Sequence, residues 1–387
     1  MNGRRTRGNP FIDSLAASDI HAMSQASQRA GGIDLAQGNA RFPLAPELSR
    51  AVAQAMAESR VSYSPSAGVP VLREAISRKT ARFRGMAFDP ETEIAVTTGV
   101  ATGFSAACLA LFEPGAEIVV FEPFYPYHHH IAAAFGLRPV VARLSEPGWT
   151  LDMERLERAI GPRTRGVVVC TPSNPGGKVW SAEELDALLQ VCERHDLLVV
   201  TDEIYEHLVY DGRAHVPPSS RPGARARTVS LSGFSKTYGV TGWRVGYALG
   251  EAALVQRLAA AHTLLCACAP TPLQHALVAA LELPDAFYVD LNRSFERRRD
   301  LLCSALSAAG LPPRASQGGY FVLADLERLG GPGGRDATMR LLERTGVAAV
   351  PASAFFENGA EGKHLARFCF GVEDDLLEDA TRRLRRL

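Results

Sequence analysis

The sequence predicts an α/β fold: a mainly parallel sheet buried on both faces, with a second, smaller α+β lobe following it. Three observations carry this. Short β-branched apolar runs alternate with helical patterns along most of the chain. Polar residues and glycines gather directly after those runs. Beyond about residue 285 the texture changes to a long charged helix and turn-rich segments.

At 387 residues the chain exceeds the size at which one core stops growing, so two lobes sharing a cleft are expected. The seven runs are IAVTT (94–98), EIVVFEP (117–123), RPVVARL (138–144), RGVVVC (165–170), LLVVTDE (197–203), TVSLS (228–232) and WRVGYAL (243–249). They predict a seven-stranded sheet with flanking helices. Ser181 and Glu184 form a capping box opening the amphipathic stretch AEELDALLQVCERH, which ends at Asp196 before the next strand. The small lobe then comprises DLNRSFERRRDLLCSALSAAG, the turn-rich QGGYFVLADLERLGGPGG and an amphipathic segment from Asp374. The predicted organisation is 1–45 as a turn-rich segment wrapping onto the small lobe, 46–285 as the large domain and 286–387 as the small one.

Basic and acidic residues balance at 42 each, so no global field draws nucleic acid or an anionic membrane, and a small-molecule substrate fits better. The opening MNGRRTRGNPFIDSL is basic without a following apolar region, and nowhere do eighteen apolar residues run together. A cytoplasmic protein is expected. Its seven cysteines lack metal-ligand spacing and read as reduced thiols in or near the core. No metal site is expected; the run His128, His129 and His130 reads as the solvent-facing start of a helix, since consecutive helical residues diverge.

Ligands of open parallel sheets collect at the carboxyl ends of strands. After IAVTT comes Gly99-Val100-Ala101-Thr102-Gly103, whose free amides at a helix start suit a phosphate, although a structural turn would read the same. After EIVVFEP comes Phe124-Tyr125-Pro126-Tyr127, a face for a planar heteroaromatic ring or simply packing beneath a loop. In TPSNPGG, Asn174 sits between prolines and can donate to a phenolate oxygen. Asp202 closes LLVVTD, with Tyr205 three residues on; a buried strand-end acid needs a partner, either a protonated ring nitrogen or a cap or ion pair. The chain has four lysines (Lys79, Lys178, Lys236, Lys363), and Lys236 follows a buried strand within a small-residue loop, ahead of Gly242-Trp243-Arg244. There desolvation and nearby cations would free its amine to act as nucleophile and base. Phosphate, ring, pyridine nitrogen, phenolate and aldehyde together describe pyridoxal 5'-phosphate.

Through PSNPGGKVWS, VTDEIYEHLVYDG and SLSGFSKTYGVTGWRVGYALG, the chain resembles the fold-type I, class I/II aminotransferases, over nearly its whole length. FEPFYPY, PTPLQHAL and QGGYFVLADL place the resemblance nearest the kynurenine, glutamine and methionine aminotransferase branch. It implies that Lys236 holds the cofactor as a Schiff base and moves the substrate proton. Asp202 would hold the pyridinium charge, Asn174 and Tyr205 contact the ring oxygen, Tyr125 stack on the ring, and Arg244 with the amides of Val100 and Ala101 take the phosphate. Arg367 and Gly38 would take the substrate carboxylate. Tyr63 would reach the neighbouring subunit's phosphate, so a homodimer with shared sites is expected. The implied reaction passes an amino group from an L-amino acid to a 2-oxo acid. A lyase, replacement or carbon–carbon bond-forming enzyme on the same fold is the alternative, because fold alone does not fix the outcome. Two departures stand out: Asn39-Ala40-Arg41 replaces an acidic pattern after Gly38, and Gly233 lacks a hydroxyl, leaving Ser232 and Ser235 as candidates to supply it.

Overall fold

All seven predicted runs form strands of one sheet, in the order Ile94–Thr97, Gly246–Leu249, Thr228–Gly233, Leu198–Asp202, Thr164–Cys170, Glu117–Glu122, Arg138–Arg143. The computed structural model describes residues 11–12, 18–58, 62–331, 333–359 and 361–387, so residues 1–10 and 13–17 of the expected N-terminal segment lie outside the described residues. The strand Gly246–Leu249 is antiparallel to both neighbours and the others pair in parallel, making the sheet mixed with six strands pointing one way.

Continuous apolar strands bury both faces. Val119, Val167, Val169 and Val199 pack on one side with Leu185, Leu188 and Val191 of the helix Ala182–Arg194. Val120, Val168, Val200, Val229 and Leu231 pack on the other with Phe104 and Leu258. Each such side chain contributes about 1.5–3 kcal/mol of burial. The helix Ala182–Arg194 opens on the predicted capping box: Ser181 Oγ accepts from Glu184 N at 3.2 Å and Glu184 Oε2 from Ser181 N at 3.1 Å.

In the C-terminal part, Val350–Pro351, Leu365–Cys369, Phe321–Asp325 and Pro313–Arg314 form an antiparallel sheet, in that order. The helices Asp285–Ala308, Gly334–Thr345 and Asp374–Leu384 accompany it. The N-terminal part is more regular than its turn chemistry suggests. Asp19–Ala30 is a helix that buries Met23, Ala26 and Ser27, and Ile33–Asp34 pairs in parallel with Val347–Ala348. Only that narrow stripe is buried on the helix, so its sequence lacks a strong apolar period.

Candidate active site

Six strands bring their carboxyl ends to one edge, and the antiparallel strand Gly246–Leu249 brings its amino end there, with Thr97 opposite Gly246. The turns leaving this edge line a cavity of about 360 Å³, against which Gly38, Phe321 and Arg367 also lie. Val100, Ala101, Tyr125, Asn174, Asp202, Tyr205, Lys236 and Arg244 all line it, so the structure brings every predicted residue except Tyr63 to one cavity. Tyr63 is 87% exposed and lies outside the cavity of its own chain.

Lys236 differs from the other lysines in its partners. Lys79 Nζ is 2.5 Å from Glu206 Oε1, Lys178 Nζ is 2.6 Å from Glu184 Oε1, and Lys363 is exposed. Lys236 lies in the cavity with no carboxylate ion pair among the described residues, and its Nζ donates to Gly38 O at 3.1 Å. Burial, with Arg244 and Arg367 adding to it, brings its amine down to about 8 against the opposing pull of Cys369 and Asp202. The neutral form, which a nucleophile requires, is therefore reached at a lower pH than for an ordinary lysine. Tyr320 Oη donates to the same Gly38 carbonyl at 2.9 Å, so that carbonyl fixes the amine from one side.

Asp202 ends its strand buried, and His128 Nε2 lies 3.0 Å from its Oδ2. This corrects the solvent-facing reading of the histidine run. The helix Pro126–Ala134 turns its third residue inward, so His128 is buried with its ring 5.0 Å from that of Phe104, while His129 stacks on Phe124 and His130 is exposed. Successive side chains do diverge, but divergence sends one of the three inward, and that one meets an acid.

Arg367 is 1% exposed, lies between the rings of Phe321 and Phe355 at 4.3 and 5.0 Å, and donates to Asn174 Oδ1 at 2.9 Å and Ala36 O at 2.6 Å. Burial lowers its affinity for its proton, and its Nε has no hydrogen-bond partner. A buried guanidinium with a free donor is costly unless a ligand anion completes it.

A third cationic corner lies at the start of the helix Gly99–Leu111. Gly99 has φ +75°, and a Cβ there would come within 2.6 Å of Arg244 Nη2, so only glycine lets the guanidinium lie against this turn. No side chain caps the helix, which leaves its first amides free for an anion. Ser235 lines the same cavity, whereas Ser232 Oγ donates to Glu206 Oε1 at 2.7 Å beneath the floor. The hydroxyl available in place of the one missing at Gly233 is therefore Ser235.

The site thus offers an anion cradle at Gly99 and Arg244, an acid at Asp202, an amine of lowered basicity at Lys236 and a second anion site at Arg367. These residues fit a planar, phosphorylated, aldehyde-bearing cofactor and a carboxylate substrate. A family model for aminotransferase class I and II matches residues 30–384. A probable N-succinyldiaminopimelate aminotransferase of Mycobacterium tuberculosis is 37% identical over 98% of this chain and 97% of its own length. The methionine aminotransferase of Escherichia coli is 34% identical over 98% and 99%. The solved structure of the Mycobacterium tuberculosis N-succinyldiaminopimelate aminotransferase superposes with a TM-score of 0.95 at 36% identity, covering 98% of this chain and all of that one. The Thermus thermophilus aspartate aminotransferase with maleate gives 0.90 at 32% identity, over 98% of this chain and all of that one.

Proposed function

The chain belongs to the class I and II aminotransferases, and on that premise we propose that Lys236 is the catalytic residue of the cavity it lines. It is a pyridoxal-phosphate enzyme that moves amino groups between amino acids and 2-oxo acids. The observation that carries the assignment of Lys236 is its place in the cavity with no carboxylate ion pair among the described residues, while Lys79 and Lys178 are each ion-paired.

Bound pyridoxal phosphate supplies an electron sink for the pair released when the substrate Cα–H bond breaks. Arg244, Ser235 and the amides of Val100 and Ala101 hold its phosphate. Asp202, held by His128, keeps a proton on the ring nitrogen. Asn174 and Tyr205 contact the ring oxygen, and Tyr125 covers the ring. Arg367 clamps the substrate carboxylate, with Gly38 beside it, which fixes Cα within reach of Lys236 Nζ. Lys236 then takes the proton from Cα and returns it one position along. The same reading divides the chain into a 1–45 segment and domains 46–285 and 286–387. It also includes a cytoplasmic homodimer in which the exposed Tyr63 serves the neighbouring site. Among the described residues no helix is long and apolar enough to cross a membrane.

The test is the visible spectrum of the cofactor-loaded protein beside Lys236→Ala, followed by addition of an amino acid and then a 2-oxo acid. Reversible conversion of the wild-type spectrum, with the new oxo and amino acids found as products, is expected. A wild type that converts its donor only to ammonia or an elimination product would overturn the reading. Sedimentation of Tyr63→Phe and the wild type, with activity measured on mixtures of Lys236→Ala and Tyr63→Ala, tests the shared site: recovery of activity on mixing is expected.

A further inference from the structure

Thr98, His262 and Cys266 meet beside the anion cradle, and none of them lines the cavity. Thr98 directly precedes the helix Gly99–Leu111, the place where a threonine hydroxyl ordinarily accepts from the second or third amide of the helix. Two other helices show that arrangement: Asp152 accepts from Arg155 N and Ser181 from Glu184 N. Thr98 does not cap. Its backbone sits at φ −77° and ψ 61°, off the extended values typical of a capping residue. Nor does Thr97, whose Oγ1 donates to Gly99 O at 3.2 Å.

Both polar groups of Thr98 are engaged instead by the last turn of the helix Ala252–Cys266. Its N–H donates to His262 Nε2 at 2.9 Å, and its Oγ1 lies 3.2 Å from Cys266 Sγ. Cys266 Sγ is also 3.0 Å from His262 Nε2, so the two side chains, four residues apart on one helix face, brace each other. Accepting from an amide requires a lone pair on Nε2, which puts the proton of the neutral ring on Nδ1. Burial keeps the ring neutral by lowering its affinity for a second proton. Nδ1 is buried without a hydrogen-bond partner among the described residues, a cost that an apolar side chain would avoid. What the ring supplies in return is the acceptor for Thr98 N–H.

We propose that His262 and Cys266 are positioning residues for the cofactor phosphate: they hold Thr98 back from capping the helix it precedes. The inference rests on the placement of that phosphate at Gly99 and Arg244 above. His262 holds the backbone of Thr98 out of the capping conformation, and Cys266 holds its hydroxyl. A freed hydroxyl would take the Ala101 amide for itself, in competition with the phosphate. Held back, it leaves that amide to the anion. Neither His262 nor Cys266 lines the cavity, so both act through Thr98.

Cofactor-free protein is titrated with pyridoxal phosphate and with pyridoxal, which lacks the phosphate, followed by visible absorbance. The ratio of the pyridoxal to the pyridoxal phosphate dissociation constant isolates the phosphate contribution. Cys266→Ala should cut that ratio by about three- to tenfold, the range of one hydrogen bond, with pyridoxal itself bound as before. Cys266→Ser, which keeps a hydrogen-bonding group, should retain most of the ratio. His262→Leu should lose at least as much as Cys266→Ala, and His262→Gln, which keeps an acceptor, should lose less. The decisive variant is Thr98→Val in the Cys266→Ala background. With no hydroxyl left to cap the helix, the ratio should return towards the wild-type value, by a larger factor than Thr98→Val gains in the wild type. A merely structural role for Cys266 gives no such restoration. A ratio unmoved by Cys266→Ala, or a loss that Thr98→Val does not restore, would overturn the inference. Arg244→Gln separates the two levels: if it too left the ratio unmoved, the phosphate site itself would be misplaced, whereas a loss with Arg244→Gln alone would remove only the positioning role.

Discussion

The segment Asp202 to Glu206 carries four ionisable side chains in five residues, and it divides them between two environments. Asp202 and Tyr205 face the cavity, among Lys236, Arg244 and Arg367. Glu203 and Glu206 face away into a closed network. Glu206 meets Lys79 at 2.5 Å and Arg84 at 2.9 Å and accepts from Ser232 Oγ at 2.7 Å. Glu203 meets Arg84 at 3.1 Å and His215 at 2.8 Å, and accepts from Thr201 Oγ1 at 2.6 Å. Burial alone would raise Glu206, but Arg84 and Lys79 outweigh it and hold its carboxyl well below the ordinary range. In the network each carboxylate has a cation of the chain beside it, although Arg84 Nη1 and Nη2 make those ion pairs without a hydrogen-bond partner. In the cavity Lys236 makes no ion pair among the described residues, and the Nε of Arg367 has no hydrogen-bond partner. Buried charge is thus no guide to function by itself; buried charge whose counter-charge the chain does not supply is.

If that distinction holds, the two sets must fail differently. The largest effect on chemistry belongs to Lys236→Ala: amino transfer should fall by at least about 10³-fold, the scale of a lost general base, with the melting temperature nearly unchanged. A variant that kept most of its activity in steady-state assays would remove Lys236 from the reaction. Glu206→Ala should do the reverse, destabilising the fold by about 3–5 kcal/mol in denaturant titration, because Lys79 and Arg84 are left as uncompensated buried cations. A stable Glu206→Ala that was inactive would place the network in the mechanism and dissolve the contrast.

Arg367→Lys comes next. An ammonium keeps the charge but loses the planar fork between Phe321 and Phe355, so kcat/KM should fall by about 10–100-fold, chiefly through KM, across all amino donors alike. Donor-dependent losses would mean that Arg367 reads the side chain and not the shared carboxylate.

The strands are legible in the sequence because β-branched runs buried on both faces, such as RGVVVC, leave a continuous apolar signature. The site is legible for a related reason. Glycines, prolines and polar residues gathered directly after buried strands add little to a core, so their clustering marks the edge where a ligand can sit, and Lys236 has only three rivals. What stays hidden depends on facing. Nothing local in DEIYE says that its first and fourth residues turn one way and its second and fifth the other; Arg84 and Lys79, more than a hundred residues earlier, decide it. The inward turn of His128 is hidden for the same reason, since it is set by Asp202, 74 positions away. The helix Asp19–Ala30 leaves a faint pattern because only Met23, Ala26 and Ser27 of it are buried.

The finest test of the contrast is the titration of Lys236 itself. In cofactor-free protein, the rate at which its amine combines with a small aldehyde should rise with pH to a midpoint near about 8, well below the ordinary lysine value of 10.5. Only the neutral amine attacks, and burial penalises the ammonium, so the neutral form is reached at lower pH. The charges around it then predict signs. Arg244 lowers the midpoint, so Arg244→Gln should raise it; Asp202 opposes that, so Asp202→Asn should lower it further. Glu206→Gln, beneath the floor and already neutralised by Lys79 and Arg84, should move it least of the three. A shift with Glu206→Gln as large as that with Arg244→Gln would mean that the two charge sets act as one field, and that the separation drawn through residues 202 to 206 is geometric without being electrostatic.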